Sequence, residues 1–144
     1  MWLLSKNDKF KKNLKEEFEK NKINSARIIF SESMPVKEHL ARINFADLFL
    51  DTFPYNAHTT CNDSIWAGVP VLTKIGKSFH SRVASSLLKT SDLDELITHS
   101  DEEYVSKAIK IANDEKYLKQ LKNKLNTFRA VSYTHLTLPT ILLV

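Results

Sequence analysis

A chain of 144 residues, 42% hydrophobic and 26% charged, has the balance of one soluble globular domain able to bury a core, which excludes fibrous and disordered classes. Its net charge of +4 does not mark a nucleic-acid binder, because the lysines of "SKNDKFKKNLKEEFEKNK" alternate with Asp8, Glu16, Glu17 and Glu19, the pattern of a solvated helix face. Cys61 is the only cysteine, which removes intramolecular disulfides and cysteine-cluster zinc sites and points to a reducing compartment, the cytoplasm by default.

In chain order, Trp2 to Leu4 reads as a strand, and Phe10, Leu14 and Phe18 recur every four residues in a helix near 8–22. A second strand is expected over Arg27 to Phe30 and a helix over 36–45. The apolar run Leu48 to Thr52 reads as a third strand, followed by a helix near 59–67 that ends before Gly68, a residue suited to a left-handed cap. Val69 to Thr73 reads as a fourth strand, with Gly76 in the loop after it. Helices are expected at 79–89 and 101–129, the last with an apolar stripe of Tyr104, Ala108, Ile111, Tyr117, Leu118, Leu121 and Leu125. Strands separated by helices cannot be hairpins, so the fold class is α/β, a Rossmann-like parallel sheet with right-handed crossovers and ligands at the carboxyl ends of its strands. No apolar run nears the roughly 20 residues that span a bilayer, and "MWLLSKNDKFKK" lacks the pattern of a signal peptide, so no membrane partner or export is expected.

The final "VSYTHLTLPTILLV" carries no charge and sets Pro139 in an apolar run. Val131 to Thr140 resembles the in-frame translation of a sequencing-adapter end, the alternative being a genuine last strand. The expected organisation is therefore one domain over 1–130 and an adapter-derived artefact over 131–144, in a chain that is a piece of a longer protein. His135 receives no functional role.

The chemistry concentrates in "NAHTTCND", Asn56 to Asp63. A strand over Leu48 to Thr52 delivers this segment to the carboxyl edge of the sheet, and Thr59 or Thr60 is a suitable N-cap for the helix running through Trp66. Free backbone N–H groups of a first helical turn, two threonine hydroxyls and His58 converge as they do in phosphate sites at helix N-termini. Asp63, one turn further on, is placed to accept hydrogen bonds from sugar hydroxyls beside such an anion. Two readings fit the spacing: an anion site, or a plain cap with a first-turn charge and a loop histidine. Cys61 with His58 forms a nucleophile and base pair only on paper, since no third group orients it.

The run "LFLDTFPYNAHTTCNDSIWAGVPVLTKIGKSFHSRVASSLL" resembles the C-terminal catalytic lobe of the O-linked N-acetylglucosamine transferase family of tetratricopeptide-repeat glycosyltransferases. The similarity extends from "WLL" at Trp2 through "RIIFSESMPVKEHLARINFADLFLDT" to about Ala130. It implies the second lobe of a GT-B type glycosyltransferase that moves N-acetylglucosamine from UDP-GlcNAc to Ser or Thr of proteins, with inversion, no cofactor and no bound metal. By the same resemblance His58, Thr59 and Thr60 match the diphosphate-binding residues, Asp63 the acid on the uridine ribose, and His39 and Arg42 of "EHLAR" the turn that reads uracil. Lys37 and Lys77 are further candidates, although the family's lysine near Lys37 is offset by one position. Ala57 and Cys61 depart from the family's motif without closing the site.

The first lobe and the repeats that recruit protein acceptors match nothing in this chain, so the expectation is a UDP-binding half that does not turn over alone. Its nearest alternatives are a non-catalytic nucleotide-binding module and a related transferase using UDP-glucose. Outside the site, Arg82 is expected to tie its helix to the sheet, Trp66 to pack on the sheet, and His80 to pack or lie at the surface.

Overall fold

In the computed structural model residues 1–141 are described, with side chains described over 1–132. They form two compact units that divide between His39 and Leu40.

The first unit contains β1 (Trp2–Leu4), α1 (Asp8–Lys20) and β2 (Ile29–Ser31). β1 and β2 pair in parallel, with Trp2 opposite Ile29 and Leu4 opposite Ser31. Asn7 caps α1 by accepting the Phe10 N–H at 3.0 Å, and Asp8 complements the helix dipole in the first turn. The charge alternation read from the sequence appears as the exposed pairs Lys11 with Asp8, Lys12 with Glu16 and Lys20 with Glu17. Such pairs contribute only about 0.2 to 0.5 kcal/mol each. No residue of α1 is buried, and Ile28 is the one buried side chain in this unit.

The second helix, α2 (Val36–Ile43), is divided between the units. The second unit continues with β3 (Phe49–Leu50), α3 (Thr59–Trp66), β4 (Val71–Lys74), α4 (Val83–Thr90), β5 (Ile97–Thr98), α5 (Asp101–Asn113) and α6 (Glu115–Ile141). Its sheet is parallel in the order β3, β4, β5, with Leu50 opposite Leu72 and Thr73 opposite Ile97. The central strand is buried along Val71, Leu72 and Thr73, as expected of a parallel strand covered on both faces. Leu72 and Leu88 join Leu93, Leu96, Ile111, Leu121 and Leu125 in one core cluster. Removing such a side chain, for example Leu88→Ala, costs roughly 2 to 5 kcal/mol.

Several boundaries differ from the sequence reading. Strand β4 begins at Val71, because the Val69 N–H is spent on Ser64 and Pro70 has none to give. Arg27 ends a 3-10 turn over Ser25–Arg27, ahead of β2. The helix expected at 79–89 is a 3-10 turn, Phe79–Ser81, followed by α4. Strand β5, only two residues long, was not anticipated. The helix expected over 101–129 is two helices, broken at Asp114, whose carboxylate accepts the Tyr117 N–H at 3.0 Å and starts α6. The stretch set apart at 131–144 falls at the end of α6 as far as Ile141; residues 142–144 and the side chain of His135 lie outside the described residues.

Gly68 does cap α3 in the left-handed region, at φ +79. Its N–H bonds to Ile65 and that of Val69 to Ser64, which closes a Schellman motif. Gly76 serves close approach instead. A Cβ there would lie 2.7 Å from Ser81 Cβ, where the 75–82 loop folds back and Gly76 N–H bonds to the Ser81 carbonyl at 2.9 Å.

Candidate functional site

Because β3 and β4 run parallel, the segments that leave them, 51–58 and 75–82, emerge at one edge of the sheet. There the Asn56 N–H donates to the His80 carbonyl at 3.1 Å and joins the two segments. The first segment turns through a cis Phe53–Pro54 bond and leads into α3.

The structure moves the N-cap from the expected Thr59 or Thr60 to His58, with φ −106 and ψ −86 and no side-chain capping bond. The reason lies one residue earlier, where the Ala57 N–H is held at 2.7 Å by the Asp51 carboxylate and the chain turns into the helix immediately after it. Thr59 and Thr60 therefore sit in the first turn, both exposed. Asp63 is four residues beyond Thr59 and three beyond Thr60, so the three share one face of α3. The opposite face, Cys61, Ser64 and Ile65, is buried.

His58 stands at the mouth of this turn. Its ring stacks on Tyr55 at 5.2 Å between centroids and meets Phe79 edge-on at 6.3 Å; Tyr55 in turn stacks on His80 at 5.1 Å. Nε2 of His58 is buried and has no hydrogen-bond partner among the described residues, a condition shared only with Oδ1 of Asn56, two residues earlier. A buried polar atom left in this state costs about 1 to 3 kcal/mol, so the turn holds an unmet donor or acceptor beside uncapped helical N–H groups. Chemically, open N–H groups at a helix start suit an anion.

Behind the turn, Asp51 is 6% exposed. Burial raises its carboxyl above the ordinary range, opposed by hydrogen bonds from Thr73, Ala57 and Thr52 and by the nearby His58. Burial, with the adjacent Asp51 charge, pushes the Cys61 thiol up to about 12 and that of the Tyr104 phenol likewise to about 12. Cys61 is wholly buried and is no nucleophile.

Of the other expected residues, His39 and Arg42 are half-buried on α2 and Lys37 is exposed on it, Lys37 and His39 belonging to the first unit and Arg42 to the second. Lys77 is exposed in the 75–82 segment. His80 packs against Tyr55, its Nε2 3.1 Å from Ser78 Oγ. Trp66, expected to pack on the sheet, is 38% exposed, and its ring neighbours Phe128 of α6 at 6.5 Å. Arg82 is exposed and forms no side-chain bond to the sheet among the described residues; its carbonyl accepts Ser85 Oγ and starts α4.

Sequence reasoning missed Asp51, Tyr55, Asn56 and Lys74. Lys74 ends β4 with Nζ 2.5 Å from Asp101 and 3.8 Å above the Phe53 ring. The available signal was position: a charged residue closing a buried parallel strand, as in "LFLD" and "VLTK", lies where α/β folds place ligands.

A parallel α/β unit with an open helix start at its carboxyl edge is the architecture of a Rossmann-like lobe of a GT-B type glycosyltransferase. Residues 1–137 match the model of Glycosyl transferase family 41, and the chain belongs to that family. It is 33% identical over 125 residues, 87% of its length, to a UDP-N-acetylglucosamine–peptide N-acetylglucosaminyltransferase of Caenorhabditis elegans, of which it covers 11%. It is 35% identical over 108 residues, 71% of its length, to the enzyme of that name from Giardia intestinalis, of which it covers 7%. Among solved structures, a mutant O-GlcNAc transferase of Thermobaculum terrenum superposes with a TM-score of 0.85 at 30% identity, over 90% of this chain and 26% of the other. The chain thus spans about a tenth or less of the curated relatives it matches. No helix among the described residues is long and apolar enough to cross a membrane.

Proposed function

We propose that this chain is the UDP-binding half of a protein O-GlcNAc transferase, which moves N-acetylglucosamine from UDP-GlcNAc to Ser or Thr hydroxyls. The observation that carries the reading is the buried, unpartnered Nε2 of His58 at the uncapped start of α3.

In this reading the diphosphate lies against the first turn of α3. It takes hydrogen bonds from backbone N–H groups and from the hydroxyls of Thr59 and Thr60, while Asp63, on the same face, accepts from the ribose hydroxyls. His39 and Arg42 keep the uracil-reading role, and Lys37 and Lys77 the auxiliary role, that the family resemblance gives them. When the acceptor oxygen attacks the anomeric carbon, the bond to the diphosphate breaks and negative charge grows on the departing oxygen. His58 and the helical N–H groups are preorganised to stabilise that charge, the kind of term whose loss typically costs a hundredfold or more in rate. Protein groups rather than a metal ion meet the leaving diphosphate. The relatives' names support the donor and the protein acceptor, and a cytoplasmic site of action accompanies the reading.

Titration of the chain with UDP tests it. His58→Ala and Asp63→Ala are each expected to weaken binding about tenfold or more, the loss of at least one charge-assisted hydrogen bond. If both variants bind UDP as the parent does, the assignment is wrong. Transfer is measured on a longer chain that contains this segment, with UDP-GlcNAc and UDP-glucose compared as donors; retained UDP binding without transfer would support a binding module instead.

A further inference from the structure

The turn between β3 and α3 is gripped from inside by a carboxylate that none of the proposed ligand contacts uses. Oδ1 of Asp51 accepts the N–H of Thr52 at 2.9 Å and the N–H of Ala57 at 2.7 Å, while Oδ2 accepts the Thr73 hydroxyl at 2.7 Å. One side chain thus closes residues 51 to 57 into a loop and ties it to the central strand β4. The Asp51 carbonyl takes the Tyr104 hydroxyl at 2.9 Å, so α5 also bears on the same residue. Within the loop, Asn56 Nδ2 donates to the Thr52 carbonyl at 2.8 Å and to the Lys74 carbonyl at 3.5 Å, and Thr52 Oγ1 donates to the Tyr55 carbonyl at 2.8 Å.

We propose that Asp51 is the positioning residue of the anion-receptive turn: by holding the Ala57 N–H it sets the backbone that enters α3, and with it the His58 ring and the first N–H groups of the helix. The proposal rests on the reading of this turn as the diphosphate site. Asp51 does not touch the ligand; it lies under the turn and acts through Ala57, the residue immediately before His58. Both backbone bonds fall on one oxygen, so the task is geometric. Asparagine can offer the same Oδ1 to both N–H groups and turn its amide toward Thr73, whose hydroxyl can rotate to accept. Alanine offers neither bond. A residue needed only for its charge would show no such preference, failing equally as asparagine and as alanine.

The test uses the full ¹⁵N-labelled chain, with hydrogen exchange of the Ala57 amide read without nucleotide and UDP affinity read by titration. In Asp51→Ala the Ala57 amide is expected to exchange at least about tenfold faster, while the Leu72 and Leu88 amides keep their parent rates, and UDP affinity is expected to fall at least about tenfold. Asp51→Asn is expected to rescue both readouts to within about threefold of the parent, and Thr73→Val, which keeps both backbone bonds, to do the same. Parent-like Ala57 protection in Asp51→Ala overturns the proposal, as does an asparagine variant that loses protection as fully as alanine. Should Asp51→Ala fail to fold, a tenfold loss of Ala57 protection in Asp51→Asn still overturns it, and retention supports it. If the parent itself binds no UDP, the reading of the site fails, while Ala57 exchange still decides whether Asp51 positions the turn.

Discussion

Two helices of the second unit begin in opposite ways. At α5, Ser100 accepts the Glu103 N–H at 3.1 Å, the Glu103 carboxylate returns to accept the His99 N–H at 2.8 Å, and Asp101, Glu102 and Glu103 fill the first turn with negative charge. The hydrogen bond from His99 leads the causes that hold the Glu103 carboxyl below its usual range. That helix start is satisfied by its own chain. At α3 there is no capping bond and no acid in the first turn, two threonines are exposed, and a buried imidazole nitrogen is unpartnered. The sheet, the unit and the element type are common to both. The difference lies in how the end is satisfied: α5 is finished by folding, and α3 is left open by it, the end at which we propose the diphosphate binds.

The strongest way to break this contrast is to give α3 the start that α5 has. His58→Asp supplies a capping carboxylate and places a negative charge where the diphosphate is proposed to lie. UDP affinity is expected to fall about a hundredfold, near 2.7 kcal/mol, measured by calorimetric titration. Affinity within a few-fold of the parent would show that the start of α3 is not where the anion lies. At the other end of the same helix, Gly68→Ala forces a side chain into the left-handed region and toward Arg129 Nη1, 2.9 Å from the added carbon. Urea denaturation is expected to show a loss of about 1 to 2 kcal/mol.

The converse change strips the cap from α5. Ser100→Ala is expected to lower stability by about 1 kcal/mol in the same assay and to leave UDP affinity unaltered. An effect on binding there would erase the distinction between the two helix starts. The smallest expected effect is the pH dependence attached to Asp51. Its folded-state carboxyl is raised by burial, so the fold holds the proton to a higher pH than the unfolded chain does. The stability this contributes is fully present below the unfolded value and is lost as pH rises through the raised one. Asp51→Asn cannot titrate, so the melting temperature of the parent relative to this variant should decline as pH rises above about 4 and then level off. A rise over the same range would mean that the hydrogen bonds, not burial, dominate this group.

Much of the plan was legible along the chain. The alternation of apolar runs and amphipathic stretches led to a parallel α/β unit, Gly68 read as a left-handed cap, and "NAHTTCND" read as a helix start. The solvated face of α1 followed from its alternating charges. Less legible were features that exist only once distant segments meet. Strand β5 is two residues long and becomes a strand by pairing with β4. The break at Asp114 sits inside a continuous apolar stripe, and only the capping bond to Tyr117 separates two helices. Trp66 looked like a core residue by type and is partly exposed by position.

Local periodicity and side-chain chemistry by themselves determined the order of elements and the residues available at the turn before α3, because those depend on neighbours one to four positions away. The tertiary structure decided which atoms the turn presents and what holds them. Asp51 meets Thr73 across 22 residues, and Tyr104 meets Asp51 across 53. Such contacts, together with the burial that raises the Asp51 carboxyl and silences Cys61, arise from how the chain returns on itself, and no spacing within a single segment encodes them.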